Sequence, residues 1–296
     1  MPRKSPELAA GIPDLQVDLD RQEWSVFRRF QTFGTHIGIR ATEARFLKHL
    51  EERLPPVWEP YESGPLDVQY SFAAHGDSVL LYRDDAKVVQ AVRVRTAHGW
   101  LELDFHKRIG QHSPNRLFVH AGAVAWRGCA MVIPGRTRLG KTSLVRALVE
   151  LGATYYSDDW AVFDERGWLV PYPKRLSIRQ EGGGMRQRPV EALGGVAATE
   201  PLPLGMVVMT KFREGASWRP RENSRAQAMM ALWERAVVAR KRASFALPSW
   251  RRPWRMRTCS RARAGRHRRS HEHWSITPSA DLADLAISLR ELLHEG

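Results

Sequence analysis

Eight consecutive residues carry the most specific chemical signal in the chain: Gly135-Arg136-Thr137-Arg138-Leu139-Gly140-Lys141-Thr142. They match the pattern G-x-x-x-x-G-K-[ST] in full. Glycines let such a loop fold tightly, so that successive backbone N–H groups point inward at phosphate oxygens. The helix that follows turns its positive end toward the same anion. Lys141 can then reach the β- and γ-phosphates, and the Thr142 hydroxyl can ligate Mg²⁺. Nucleotide contacts are therefore expected from Gly135 through Ser143.

Two carboxylates, Asp158 and Asp159, follow Lys141 by 17 and 18 residues. They close the β-prone run Thr154 to Ser157. One can hold Mg²⁺ while the other accepts a proton from an incoming hydroxyl. Asp158 is assigned as the base and Asp159 to the metal, although neighbouring carboxylates can exchange such roles. An adjacent Asp pair alone is more often a polar strand-end turn; its distance from the phosphate loop gives it the functional reading. His120 precedes the loop by 15 residues. A lone His on a strand is more often structural than chemical.

These residues need particular elements around them. Leu117 to Trp126 reads as a strand and Cys129 to Pro134 as a short buried one, with a turn at Arg127-Gly128. After the loop, Leu144, Leu148, Val149 and Leu151 form the apolar stripe of a helix that stops at Gly152. Trp160 to Phe163 and Trp168 to Tyr172 pair as a hairpin, and Gly205 to Phe212 is a further apolar strand. Ser224 caps a helix carrying Ala226, Met229, Met230, Trp233 and Val237. A last helix is expected near Asp281 to Leu293. Upstream, His36 to Arg40, Asp67 to Phe72, Ser78 to Tyr82 and Lys87 to Val94 read as strands. Thr42 caps a helix through about Arg53, stopped by Pro55-Pro56, and another helix carries Trp100 to Ile109.

At this point Val119-His120-Ala121-Gly122, the loop, Leu151-Gly152-Ala153 and Ser157-Asp158-Asp159 together resemble the catalytic domain of HPr kinase/phosphorylase and its HPr kinase-like relatives. The resemblance covers residues 115 to 180. It implies an α/β fold with a P-loop core of the HPr kinase / phosphoenolpyruvate carboxykinase type, here preceded by a small α+β region. It also implies ATP (or pyrophosphate) and Mg²⁺, and transfer to a serine of a partner protein. On that footing Lys141 binds phosphate, Thr142 takes the metal-binding place, the Asp pair supplies base and metal contact, and His120 joins the active site. Two positions depart from the family. Arg138 stands where the loop usually has Gly, and Ser177 stands where a metal-binding Glu is usual, with Glu181 close but out of register. A cation such as Arg179 could offset charge in the transition state.

The totals bound the remaining choices. The chain has 296 residues with a formal net charge of +14. Between Arg240 and Arg269 stand eleven arginines, one lysine and no carboxylate; without those 12 the chain holds 34 basic and 32 acidic residues. A near-neutral body with one basic segment argues against a surface built throughout for nucleic acid. That segment reads as a nucleic-acid arm with Trp250 and Trp254 for stacking, as a solvated basic tail, or as an out-of-frame read of a GC-rich gene. Two cysteines exclude a disulfide framework, and no long uncharged apolar run suggests a membrane span. A cytoplasmic protein is expected. Its parts are a lead-in (1–20), a small α+β region (21–114), the kinase-like core (115–239), the basic segment (240–272) and a C-terminal helix (273–296). Two other classes stay open, a non-catalytic nucleotide-binding protein and a nucleic-acid-binding protein with a regulatory ATP site. A homo-oligomer is also left open.

Overall fold

A computed structural model describes residues 17–91, 93–126, 128–135, 140–179, 185–209, 218–237 and 257–262. The chain divides into two compact units, Met1–His112 and Ser113–Gly296.

Among the described residues, the first unit is a six-stranded sheet with one α-helix. Its strands are β1 (Val26–Thr32), β2 (Thr35–Ala41), β3 (Glu59–Pro60), β4 (Val68–His75), β5 (Ser78–Arg83) and β6 (Ala86–Ala91), in the order β3-β1-β2-β4-β5-β6. Only β2 and β4 run parallel. Phe33 and Gly34, with φ 49 and 71, make the β1–β2 turn in the conformation a tight hairpin favours. Helix α1 (Val94–His112) buries Ala97, Leu101, Phe105 and Ile109, one residue per turn. Phe105 meets Phe30 and Tyr70 edge-on. Leu19, in the expected lead-in, packs against Leu80 and Tyr82. The helix expected from Thr42 to Arg53 is instead two 3₁₀ turns, Ala44–Leu47 and Glu51–Arg53. Lys48 between them is extended and His49 takes φ 60, which no α-helix tolerates.

His98 on α1 lies 6% exposed, with Nε2 2.6 Å from the Phe46 carbonyl oxygen. Burial holds its pKa below 6.5, the Phe46 carbonyl opposes that, and the charges of Arg53 and His49 add to it. The unfolded chain therefore takes up the proton first as pH falls. Stability is intact above 6.5 and is lost as pH drops toward the folded pKa. His98→Gln keeps a donor for Phe46 and should lose less stability in acid, read from urea midpoints at about pH 7.5 and about pH 5.

The second unit contains β7 (Leu117–Trp126), β8 (Cys129–Pro134), α2 (Lys141–Glu150), β9 (Thr154–Ser157), β10 (Trp160–Phe163), β11 (Trp168–Val170), β12 (Leu176–Arg179), β13 (Met185–Arg188), β14 (Leu202–Met209), β15 (Trp218–Glu222), α3 (Arg225–Trp233) and β16 (Arg257–Ala262). The main sheet runs β11-β10-β7-β8-β14-β16-β15, with β9 also on β7 and β11 also on β14. The pairings β11–β10–β7–β8–β14–β11 thus close into a ring. Strand β8 is buried on both faces. Ala130 and Val132 join a core that reaches Ala228 and Leu232 of α3; Met131 and Ile133 join one formed with Leu144, Val145 and Leu148 of α2. Ser224 caps α3 through a reciprocal capping box with Gln227. Strand β16 lies within the basic segment and pairs in parallel with β14. The rest of that segment, the expected helix at Asp281 to Leu293 and the loop residues Arg136, Thr137, Arg138 and Leu139 lie outside the described residues.

This architecture corrects the expected fold class. The protein is mostly β-sheet, with several mixed sheets and few helices, and is not a P-loop α/β core. The reason lies in the connections. Strands β9 and β10, two residues apart, lie one after the other along β7 and both run antiparallel to it, and four residues later β11 returns on β10. The four-residue link from β10 to β11 permits only an antiparallel hairpin, whereas a parallel neighbour needs a crossover of a dozen residues or more. Among the described strands of this unit, only β8–β14 and β14–β16 are parallel.

Gly122 lets α2 approach β7 closely: a Cβ there would lie 2.6 Å from Val145 Cγ2. Val145 is fully buried and, as a β-branched helical residue, has essentially one rotamer. Gly122→Ala should cost about 1–3 kcal/mol, read as a lower urea midpoint. The same shift would displace the start of α2, where Lys141 sits.

Candidate functional site

The site is built where β8 ends and α2 begins. Strand β8 carries the chain to Pro134, and Gly140 starts the helix with φ 84 and ψ 9. That left-handed conformation is costly for any residue with a Cβ and explains the second glycine of the motif. Gly140 brings no side-chain acceptor to cap α2. The first N–H groups of the helix are thus suited to an anion.

Lys141 folds inward and is 6% exposed. Its Nζ donates to the Gly135 carbonyl at 2.8 Å and lies 3.3 Å from His120 Nε2. Burial lowers its pKa, Asp159 and Asp158 oppose that, and the positive charge of Arg235 adds to it. On the other side of the ring, His120 Nδ1 lies 3.1 Å from Asp159 Oδ1. A neutral His120 with its proton on Nδ1 satisfies both contacts: it donates to Asp159 and accepts from Lys141. Asp159 Oδ2 is held by Lys174 Nζ at 3.2 Å. A continuous chain, Lys141–His120–Asp159–Lys174, therefore crosses the site.

Asp158 belongs to a second, deeper chain. It is 2% exposed. The Thr142 hydroxyl donates to its Oδ2 at 3.2 Å, and the Ser177 N–H donates to the same oxygen at 3.3 Å. The Tyr155 hydroxyl reaches Oδ1 at 3.2 Å and the Lys174 carbonyl at 2.8 Å. Burial pushes the Asp158 carboxyl up, against the pull of Lys174, and Asp159 adds to the rise. A carboxylate so buried, beside a hydroxyl at the start of α2, is one that a cation would compensate. Thr142 and Asp158 are thus the residues that would hold a Mg²⁺ ion at this place. Among the described residues no group of three or more His, Cys, Asp or Glu side chains could hold a metal by itself. This agrees with Ser177, which offers its backbone N–H where the resemblance would place a Glu.

Five residues expected from the sequence thus meet: His120, Lys141, Thr142, Asp158 and Asp159. Gly135 and Gly140 frame the loop, and Ser143 lies half-buried on α2. The side chain of Arg179 and Glu181 lie outside the described set. Sequence reasoning missed Lys174, Tyr155, Trp160 and Arg235. Tyr155 stands three residues before Asp158, which a reading of the strand's inward face could have used. Trp160 is opposite His120 across β10–β7, with ring centroids 5.4 Å apart. A single loop lysine such as Lys174 gives no local signal.

Compared with models of protein families and with curated proteins, the chain matches none. Among the described residues, no helix is long and apolar enough to cross a membrane.

Proposed function

We propose that the chain binds ATP with Mg²⁺ at the Gly135–Thr142 loop and transfers the terminal phosphoryl group to a hydroxyl, most naturally a serine on a partner protein. The observation that carries this reading is the convergence of the Lys141 ammonium, the Thr142–Asp158 pair and the Asp159–His120 pair around the start of α2. The spacing that resembles HPr kinase-like proteins supports the same reaction class. A cytoplasmic location, where ATP is available, goes with this reading.

The two carboxylates exchange the roles assigned from sequence. Asp158 shares a hydrogen bond with Thr142, so these two would hold the metal, which would neutralise charge on the phosphates. Asp159 is the more exposed and is held through both oxygens by His120 and Lys174. It takes the proton of the attacking hydroxyl as that oxygen bonds to the γ-phosphorus and the bond to the bridging oxygen breaks, releasing ADP. Lys141 leaves the Gly135 carbonyl to follow the charge of the transferring group.

Ser177 at the third-ligand place favours a second reading, in which nucleotide is bound without transfer. One experiment separates the two. The full chain is incubated with γ-labelled ATP, Mg²⁺ and the proteins encoded beside it. Label on a serine supports the kinase reading. Lys141-dependent ATP binding without label on any of them supports the non-catalytic one. Absence of binding overturns both.

A further inference from the structure

The segment after α3 returns to the site in a way the motif does not foresee. Strand β8 ends at Pro134, and its pairing with β7 goes no further than Pro134 opposite Ala121. The vacated edge of β7 is taken over at the next residue. The His120 N–H donates to the Arg235 carbonyl at 2.9 Å, Val119 bridges Ala236, and the Val237 N–H donates to the Phe118 carbonyl at 2.8 Å. This register sets Arg235 directly opposite His120.

Directly opposite residues of an antiparallel pair share one face of the sheet, with Cβ atoms about 4.5–5.5 Å apart. Trp160 is opposite His120 on the other side. Trp160, His120 and Arg235 thus form a row across one face, and it is the face on which His120 meets Lys141 and Asp159. The Arg235 side chain is 25% exposed. Its ion pair with Glu234, 3.7 Å long and with that carboxylate 61% exposed, is a loose one to its own chain neighbour. The charge of Arg235 also bears on Lys141, as two cations converging on one place must.

We propose that Arg235 is a second phosphate-binding cation of this site, its guanidinium gripping the terminal phosphate of ATP from the flank of His120 opposite Trp160. This rests on the nucleotide reading above and adds a residue to it. A planar guanidinium presents two parallel N–H donors to two oxygens of one phosphate, a fixed bidentate geometry that the rotating ammonium of Lys141 lacks. Arg235 therefore distinguishes a triphosphate from a diphosphate.

The test compares ATP and ADP affinities, each with Mg²⁺, for the full-length wild type, Arg235→Gln, Arg235→Lys and Lys141→Ala. Arg235 joins the sheet through its backbone and is partly exposed, so both Arg235 variants should keep the fold, checked by circular dichroism. Arg235→Gln should weaken ATP binding about 10- to 100-fold and leave ADP nearly unchanged. Arg235→Lys should fall between. A merely structural role would weaken both nucleotides alike. An ATP-to-ADP ratio within about twofold of wild type in either variant, with Lys141→Ala still losing ATP, would overturn the role of Arg235 alone. Failure of the wild type to bind ATP would remove the nucleotide reading and this inference with it.

Discussion

Lys141→Ala should abolish measurable phosphoryl transfer and weaken ATP binding about 10- to 100-fold, the worth of a charge-assisted contact of about 1.5–3 kcal/mol. The ammonium is buried and is held in waiting by the Gly135 carbonyl and His120 Nε2, both of which it can exchange for phosphate oxygens. Substitution removes the contact with His120 Nε2, a small loss beside the loss of a phosphate partner. Calorimetric titration with MgATP reads the effect. Pyrophosphate should compete in the wild type and not in the variant. Affinity equal to wild type in Lys141→Ala would move the phosphate away from this loop.

Asp159→Asn should leave ATP affinity nearly intact and reduce transfer by about 10²–10⁴, the usual contribution of a general base. The amide still offers an oxygen to His120 Nδ1, which stands 3.1 Å from Asp159, but it cannot accept the proton of the attacking hydroxyl. Asp158→Asn should behave differently. Asp158 is the partner of Thr142, so its loss should raise the Mg²⁺ concentration needed for ATP binding. Measuring transfer rate and Mg²⁺ dependence on both variants separates base from metal ligand. Transfer sustained in Asp159→Asn and lost only in Asp158→Asn would restore the roles as first assigned from the sequence.

What the sequence made legible was local. The apolar run Cys129–Pro134, the glycine loop and the stripe of Leu144, Leu148 and Val149 predict a buried strand, a turn and a helix, and β8 and α2 are there. The stripe fails only at Leu151, which lies past the helix end and is 43% exposed. Ser224 predicts a helix start, and the capping box is formed. Pairing was not legible. The hairpin at Trp160 to Tyr172 was expected, but nothing in its composition says that β10 lies on β7 and β11 also on β14. Those contacts, fixed by register between distant segments, turn an expected α/β core into a largely β unit.

The site divides in the same way. Lys141, Thr142, Asp158, Asp159 and His120 were legible because their types and spacing carry a mechanism. Lys174 and Arg235 were not, since a loop lysine and an arginine after a helix have many ordinary explanations. Lys174 arrives because the chain after β11 folds back over the Asp pair. Arg235 arrives because β8 gives up its edge of β7 one residue before the loop. Which carboxylate faces Thr142 was equally hidden. Asp158 and Asp159 are adjacent in sequence, and only the turn between β9 and β10 sends one inward and the other to His120.

The most direct measurement is a crystal structure with a non-hydrolysable ATP analogue and Mg²⁺. The β- and γ-phosphates should lie within hydrogen-bonding distance of the Lys141 and Thr142 N–H groups. Lys141 Nζ should be turned from the Gly135 carbonyl onto phosphate, with the metal against Thr142 and Asp158. Nucleotide bound elsewhere, with Lys141 still on Gly135 and His120, would contradict it.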